Sequence, residues 1–130
     1  MDFQPMRAWN DPLPGRTPKP DLRRRRIYVA GPYSLGDPVV NTRRAISIGS
    51  ALLGRGFVPF VPHLSLFWHL CEPQDYETWL AYDFEWLKAC DGLLRLDGES
   101  AGADREVALA LKRIPVFYSL DTLYAHQWRV

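Results

Sequence analysis

The sequence predicts an α/β domain: a doubly wound, flavodoxin- or Rossmann-like parallel sheet of four to five strands with helices on both faces. Three observations lead there. Short apolar runs alternate with helix-patterned segments along the chain. The links between them are short, as parallel β-α-β units require. The runs themselves are nearly continuous in apolar character, which is the mark of strands covered on both sides. A chain of 130 residues with 47% hydrophobic content suits one such domain with a real core.

The elements follow in order. Residues 1–24 hold five prolines and little periodicity, and read as a flexible basic leader; the folded domain is expected over 25–130. Arg23 to Arg26 form a basic run that reads as a solvated entry to the first strand. Ile27-Tyr28-Val29-Ala30 is that strand, ended by Gly31-Pro32. Asp37-Pro38 supplies a capping residue and a proline at the first helical position. The helix it opens carries Val39, Val40, Ala45, Ile46, Ile48, Leu52 and Leu53, and stops at Gly54 and Gly56. Phe57 to Val61 is the second strand, and Pro59 puts it at a sheet edge. Pro62 to Pro73 reads as a loop, with or without a short helix. Gln74 to Ala89 is a helix, Asp91 to Leu96 a strand, Ala103 to Arg113 a helix, Pro115 to Tyr118 a strand, and Leu120 to His126 a last helical turn.

Charge and cysteine content exclude several classes. The net charge of +1 gives no global drive toward nucleic acid or a membrane surface. The imbalance is local: residues 1–26 carry seven Lys/Arg and three Asp, whereas residues 27–130 carry nine Lys/Arg and twelve Asp/Glu. Two cysteines, Cys71 and Cys90, are too few for a disulfide framework. No run reaches membrane-spanning length and no secretory pattern is seen, so a cytoplasmic protein with neither a membrane nor a stable nucleic-acid partner is expected. Neither a GxGxxG fingerprint nor a P-loop occurs, which argues against dinucleotide cofactors and NTP hydrolysis, and no cofactor is expected. His63, His69 and Cys71 match no closed zinc spacing, so no metal is expected either.

The sheet edge carries the chemistry. Loops Gly31–Ser34, Pro62–Trp68 and Asp97–Gly102 follow strands and are expected to line one crevice. Glu106 sits in or near the first turn of a helix, where free N–H groups and the dipole favour an ionised carboxylate, the state a nucleophile or general base needs. Asp83 has Trp79, Leu80, Trp86 and Leu87 as its helix-face neighbours. A carboxyl in that apolar stripe has a raised pKa, as a general acid requires; a buried ion pair is the structural alternative. Ser100 is placed to cap the following helix or to bind an anion. Gly31 permits close approach to the backbone. His63, Phe67 and Trp68 are expected to form a wall for a planar ring, or else ordinary packing under the loop. Asp91, Asp97, Glu99 and Asp104 read as turn, capping and solvent residues.

Tyr28-Val29-Ala30-Gly31-Pro32-Tyr33-Ser34, Asp83-x-x-Trp86-Leu87-x-x-Cys90-Asp91 and Ser100-x-Gly102-x-x-x-Glu106 together resemble the nucleoside 2-deoxyribosyltransferase superfamily, which includes the 2′-deoxynucleoside 5′-monophosphate N-glycosidases. The resemblance covers about residues 27–118. It implies cleavage or transfer at the N-glycosidic bond of a nucleoside or nucleoside 5′-monophosphate. Glu106 would form a glycosyl ester, Asp83 would protonate or position the base, and Tyr28 would touch the nucleophile or sugar. It also implies substrate contacts from Gly31, Pro32, Ser34, His63, Phe67, Trp68, Ser100 and Gly102, and a homodimer or larger homo-oligomer. Pro32 stands where the monophosphate hydrolases tend to carry a serine, and Asp104 where a small residue is common. Arg43, Arg44 and Arg105 are the candidates for a phosphate contact. The alternative is a non-catalytic nucleotide-binding or sensing module on the same fold; an interaction module using the basic leader is a third.

Overall fold

A computed structural model describes residues 24–129. The leader expected over residues 1–24 therefore lies, apart from Arg24, outside the described residues. The elements are β1 (Arg26–Ala30), α1 (Pro38–Gly54), β2 (Val58–Phe60), a 3-10 turn (Pro62–Leu64), α2 (Ser65–Cys71), α3 (Tyr76–Leu87), β3 (Gly92–Arg95), α4 (Ala101–Ala110), β4 (Val116–Phe117) and α5 (Leu120–Ala125). The four strands form one parallel sheet in the order β2-β1-β3-β4, a Rossmann-like α/β arrangement. β2 is at an edge, where Pro59 costs no interior ladder bond. Among the described residues no helix is long and apolar enough to cross a membrane.

Local chemistry explains the helix starts. Asp37 caps α1, its Oδ1 accepting from the Val39 and Val40 amides at 2.9 and 3.4 Å, with Pro38 at the first helical position. Asp75 caps α3 through the Thr78 amide at 2.7 Å, and Ser100 caps α4 through the Ala103 amide at 3.1 Å. α1 ends in a turn where Gly56 adopts φ +88, a conformation that costs a glycine little.

β1 is buried on both faces, and its side chains alternate between two cores. Ile27 and Val29 pack with Ala45 and Leu52 of α1, Leu94 of β3 and Leu123 of α5. Tyr28 and Ala30 pack on the other face with Leu87 of α3, Leu93, and Ala103 and Ala110 of α4. Helices thus cover both sides of the sheet. Leu94 is 1% exposed at the centre of the first core. Leu94→Ala is expected to cost about 3 kcal/mol, read as a lower denaturation midpoint with an unchanged slope.

The order of the strands positions the site. From β1 the chain moves outward to β2, then returns past β1 to build β3 and β4. The connections leaving β1 and β3 therefore diverge, and a crevice opens at the carboxyl ends of these two strands.

Candidate active site

A cavity of about 500 Å³ occupies that crevice. The loop after β1, the 3-10 turn, α3, and the turn and first half of α4 surround it. Asp83 and Glu106 both line it, from different helices. Their convergence is a tertiary result, since they are separated by an entire strand and two turns.

Glu106 is the sixth residue of α4, because that helix begins at Ala101 rather than Ala103. It lies two residues deeper than expected, is only 6% exposed, and contacts Tyr28 from β1 rather than the free amides of the helix start. The expectation of a carboxylate held ionised by the helix end is corrected accordingly. Burial pushes Glu106 up to about 8. The hydrogen bond from Tyr28 opposes that rise, the Asp83 charge adds to it, and the Arg95 charge opposes it. Tyr28 itself is fully buried, and burial and then the Glu106 charge raise its hydroxyl well above 10, so it donates to Glu106 Oε2. It is not among the residues lining the cavity; it supports the carboxyl from below.

Asp83 matches the expectation for an acid in apolar surroundings. Burial raises it to about 7, and its Oδ1 is buried without a hydrogen-bond partner. It belongs to a stripe of α3 made by Tyr76, Trp79, Leu80 and Asp83, spaced i, i+3, i+4 and i+7, all lining the cavity.

His63 is 3% exposed and lines the cavity. Its Nε2 donates to the Pro32 carbonyl at 2.9 Å, which fixes the tautomer, while burial lowers its pKa and keeps the ring neutral. Pro32 is thus occupied as a backbone acceptor, and its ring packs where a Cβ on Gly98 would come within 2.7 Å. Gly31, Ser34, Ser100 and Gly102 line the cavity; Pro32 does not. Gly31 is needed for packing as well as for access, since a Cβ there would stand 3.0 Å from Leu96 Cβ.

Phe67 and Trp68 require correction as cavity walls. Phe67 is 74% exposed, and Trp68 packs edge-on to Trp79 and Tyr82 on the outer side. The short helix α2 turns them away from the crevice; Trp79 and Tyr76 of α3 supply the aromatic wall. The i, i+3, i+4, i+7 spacing around Asp83 carried that information, because any helix presenting Asp83 to a cavity presents Tyr76 and Trp79 with it.

One cation borders the cavity among the described residues. Arg105 holds Glu77 of α3 through Nη1 and Nη2 at 2.9 and 3.3 Å, tying α4 to α3. Of the other arginines named for phosphate, Arg44 donates to the Asp97 carbonyl at 2.7 Å, and neither it nor Arg43 lines the cavity. Arg95 binds the Gly98 carbonyl and Asp104 at 2.9 and 3.1 Å, bracing the β3–α4 turn. Asp91 takes the structural part expected of it, accepting from the Arg26 amide at 2.8 Å. Cys90 is buried beneath the site, its thiol pushed up to about 11 mainly by burial. No group of three or more His, Cys, Asp or Glu among the described residues is arranged to hold a metal ion.

Fold and cavity define the class: a Rossmann-like α/β domain with two carboxyls converging on a hollow at the sheet's carboxyl edge. The chain belongs to the family described as a domain of unknown function (DUF7768), whose model matches residues 25–119 and so spans all four strands and the cavity-lining helices. A comparison with curated proteins finds no match.

Proposed function

We propose that this protein cleaves the N-glycosidic bond of a nucleoside or nucleoside 5′-monophosphate through a glycosyl ester on Glu106. The observation that carries the reading is the meeting of Glu106 and Asp83 in one cavity, with the Tyr28 hydroxyl donating to Glu106. The resemblance of the three motifs to nucleoside 2-deoxyribosyltransferases supports it.

Charge placement within the pair follows from their partners. Two raised carboxyls in one hollow favour a state with a single shared proton. Glu106 has the Tyr28 donor and the Arg95 charge to favour its anion, whereas Asp83 has a buried oxygen with no partner. With those partners counted, Glu106 at about 8 still lies above Asp83 at about 7, so the free protein keeps the proton mainly on Glu106, and the reactive form is the minority arrangement with the proton on Asp83. Glu106 attacks C1′ as the C–N bond breaks, and its electron pair goes to the base, which takes the Asp83 proton. Asp83, now ionised, then removes a proton from water; the resulting hydroxide takes C1′ from Glu106 and regenerates the carboxylate. A second base in place of water gives transfer. The same reading includes a homo-oligomer acting in the cytoplasm, as the resemblance implies.

The test is incubation with a panel of deoxynucleosides and their 5′-monophosphates, following free base by chromatography. Base release from at least one member is expected; no release from any of them counts decisively against the proposal. A second reading, a non-catalytic nucleotide-binding module, is favoured by one observation: with Glu106 pushed up to about 8, the free protein near pH 7 holds that carboxyl mainly neutral, a donor rather than a nucleophile. It predicts thermal stabilisation by nucleotides without turnover.

A further inference from the structure

Trp79 is held by a side-chain hydrogen bond as well as by ring packing. Its indole Nε1 donates to His69 Nδ1 at 2.8 Å. The same Nδ1 takes the Gln74 amide at 3.3 Å, so His69 bridges the end of α2, the α2–α3 turn and the cavity-facing stripe of α3. Two donors on one nitrogen require that nitrogen to be unprotonated. Trp68 and Tyr82 then meet Trp79 edge-on, with ring centroids 5.1 and 5.9 Å away and planes at 79° and 81°. Trp68 and Tyr82 also meet each other, at 5.6 Å and 83°, so the three rings lock one another. A partly buried indole usually takes whatever acceptor or water is at hand. Here a histidine, itself tethered to the backbone, is spent on orienting it.

Trp79 lines the cavity one helical turn before Asp83. A planar ring that receives a proton from Asp83 would lie beside Trp79 on the same face of α3, while Glu106 would approach the sugar from α4. The cavity divides into a base side built by α3 and a sugar side built by α4.

We propose that Trp79 is the contact surface for the nucleobase and that His69, which need not touch the ligand, is a positioning residue that sets the indole for it. This rests on the reading of the cavity as a nucleoside site, and it assigns the base subsite to α3 rather than to Phe67 and Trp68 of α2. His69 supplies an acceptor at Nδ1, and a glutamine carbonyl can take that part.

The test uses free adenine and free uracil, which bind without turnover. The indole N–H signal of Trp79 is assigned in an NMR spectrum by its loss in Trp79→Phe and followed during titration with each base; binding is measured in parallel by calorimetry. A shift of that signal on addition of at least one base is expected. Trp79→Ala should weaken binding of that base at least about tenfold, in keeping with loss of a stacking partner. His69→Ala should move the Trp79 signal in the free protein and weaken base binding about three- to tenfold, and His69→Gln should restore most of both. With a nucleoside that is turned over, His69→Ala should raise KM and leave kcat within a factor of about three. The assignment is overturned if neither base binds, if Trp79→Ala binds as well as wild type, or if His69→Gln fails to restore what His69→Ala loses while remaining folded by circular dichroism. Base binding by wild type with no cleavage of any nucleoside would instead overturn the catalytic reading and leave this one standing.

Discussion

On the proposed mechanism Glu106→Gln is expected to lose base release by at least about a thousandfold and to melt at a higher temperature than wild type at pH 8. The first effect is the expected cost of removing a nucleophile. The amide is close to the carboxyl in shape and still accepts from Tyr28, so packing is kept. The second effect follows from the raised pKa. An acid whose folded value lies above its unfolded value resists ionisation in the folded chain. Its full contribution to stability is present below the unfolded pKa, near 4.5 here, and is lost as pH rises toward about 8. At pH 8 wild type thus carries much of the cost of a buried charge that the glutamine lacks. A difference of about 2–4 kcal/mol, or roughly 5–10 °C in melting temperature, is expected at pH 8 and little at pH 4. Scanning calorimetry at both pH values, beside base release at pH 7.5, decides the matter. Activity within tenfold of wild type would remove Glu106 from the mechanism, and a lower melting temperature at pH 8 would show that its carboxylate is structural.

On the proposed mechanism the rate of base release is expected to rise and then fall with pH, with its maximum between about 7 and about 8. Below that window both acids are protonated and no nucleophile exists. Above it both are ionised and no proton remains for the departing base. The limits, near 7 and near 8, belong to the pair rather than to either residue alone. Asp83→Asn separates the two functions. It abolishes the fall on the alkaline side, because there is no longer an acid to lose, and it lowers the maximum by about a hundredfold or more for bases that leave poorly without protonation. It also moves the acid limb downward, since the Asp83 charge is among the influences that raise Glu106. A profile of kcat/KM for wild type and variant across pH 5 to 10 reads all three changes. A flat wild-type profile through this range would show that the pair does not control the rate.

Much of the fold could be read from local pattern. Four apolar runs became four parallel strands, Asp37-Pro38 opened α1, and Pro59 marked an edge strand. These features depend on neighbours within a few residues, which is why they survive without tertiary information. Boundaries were less legible: α3 begins two residues later than its pattern suggests, and α4 two residues earlier. The shift in α4 matters, because it moved Glu106 from a helix start to a buried second turn and reversed the expected direction of its pKa. Phe67 and Trp68 were misplaced because aromatic content does not say which side of a short helix faces a crevice. Trp79 and Tyr76 were legible in principle, since their spacing from Asp83 follows from the helical repeat alone.

The sequence by itself determined the class of fold, the order of its elements, and the two acids at stake, because hydrophobic period, caps and breakers act over a turn or a strand. Only the tertiary structure decided that Asp83 and Glu106 share one hollow, that Tyr28 reaches Glu106 across 78 residues of chain, and that both carboxyls are raised. Burial is a property of what the chain brings together from afar, and at this sheet edge burial outweighs the local field of the helix.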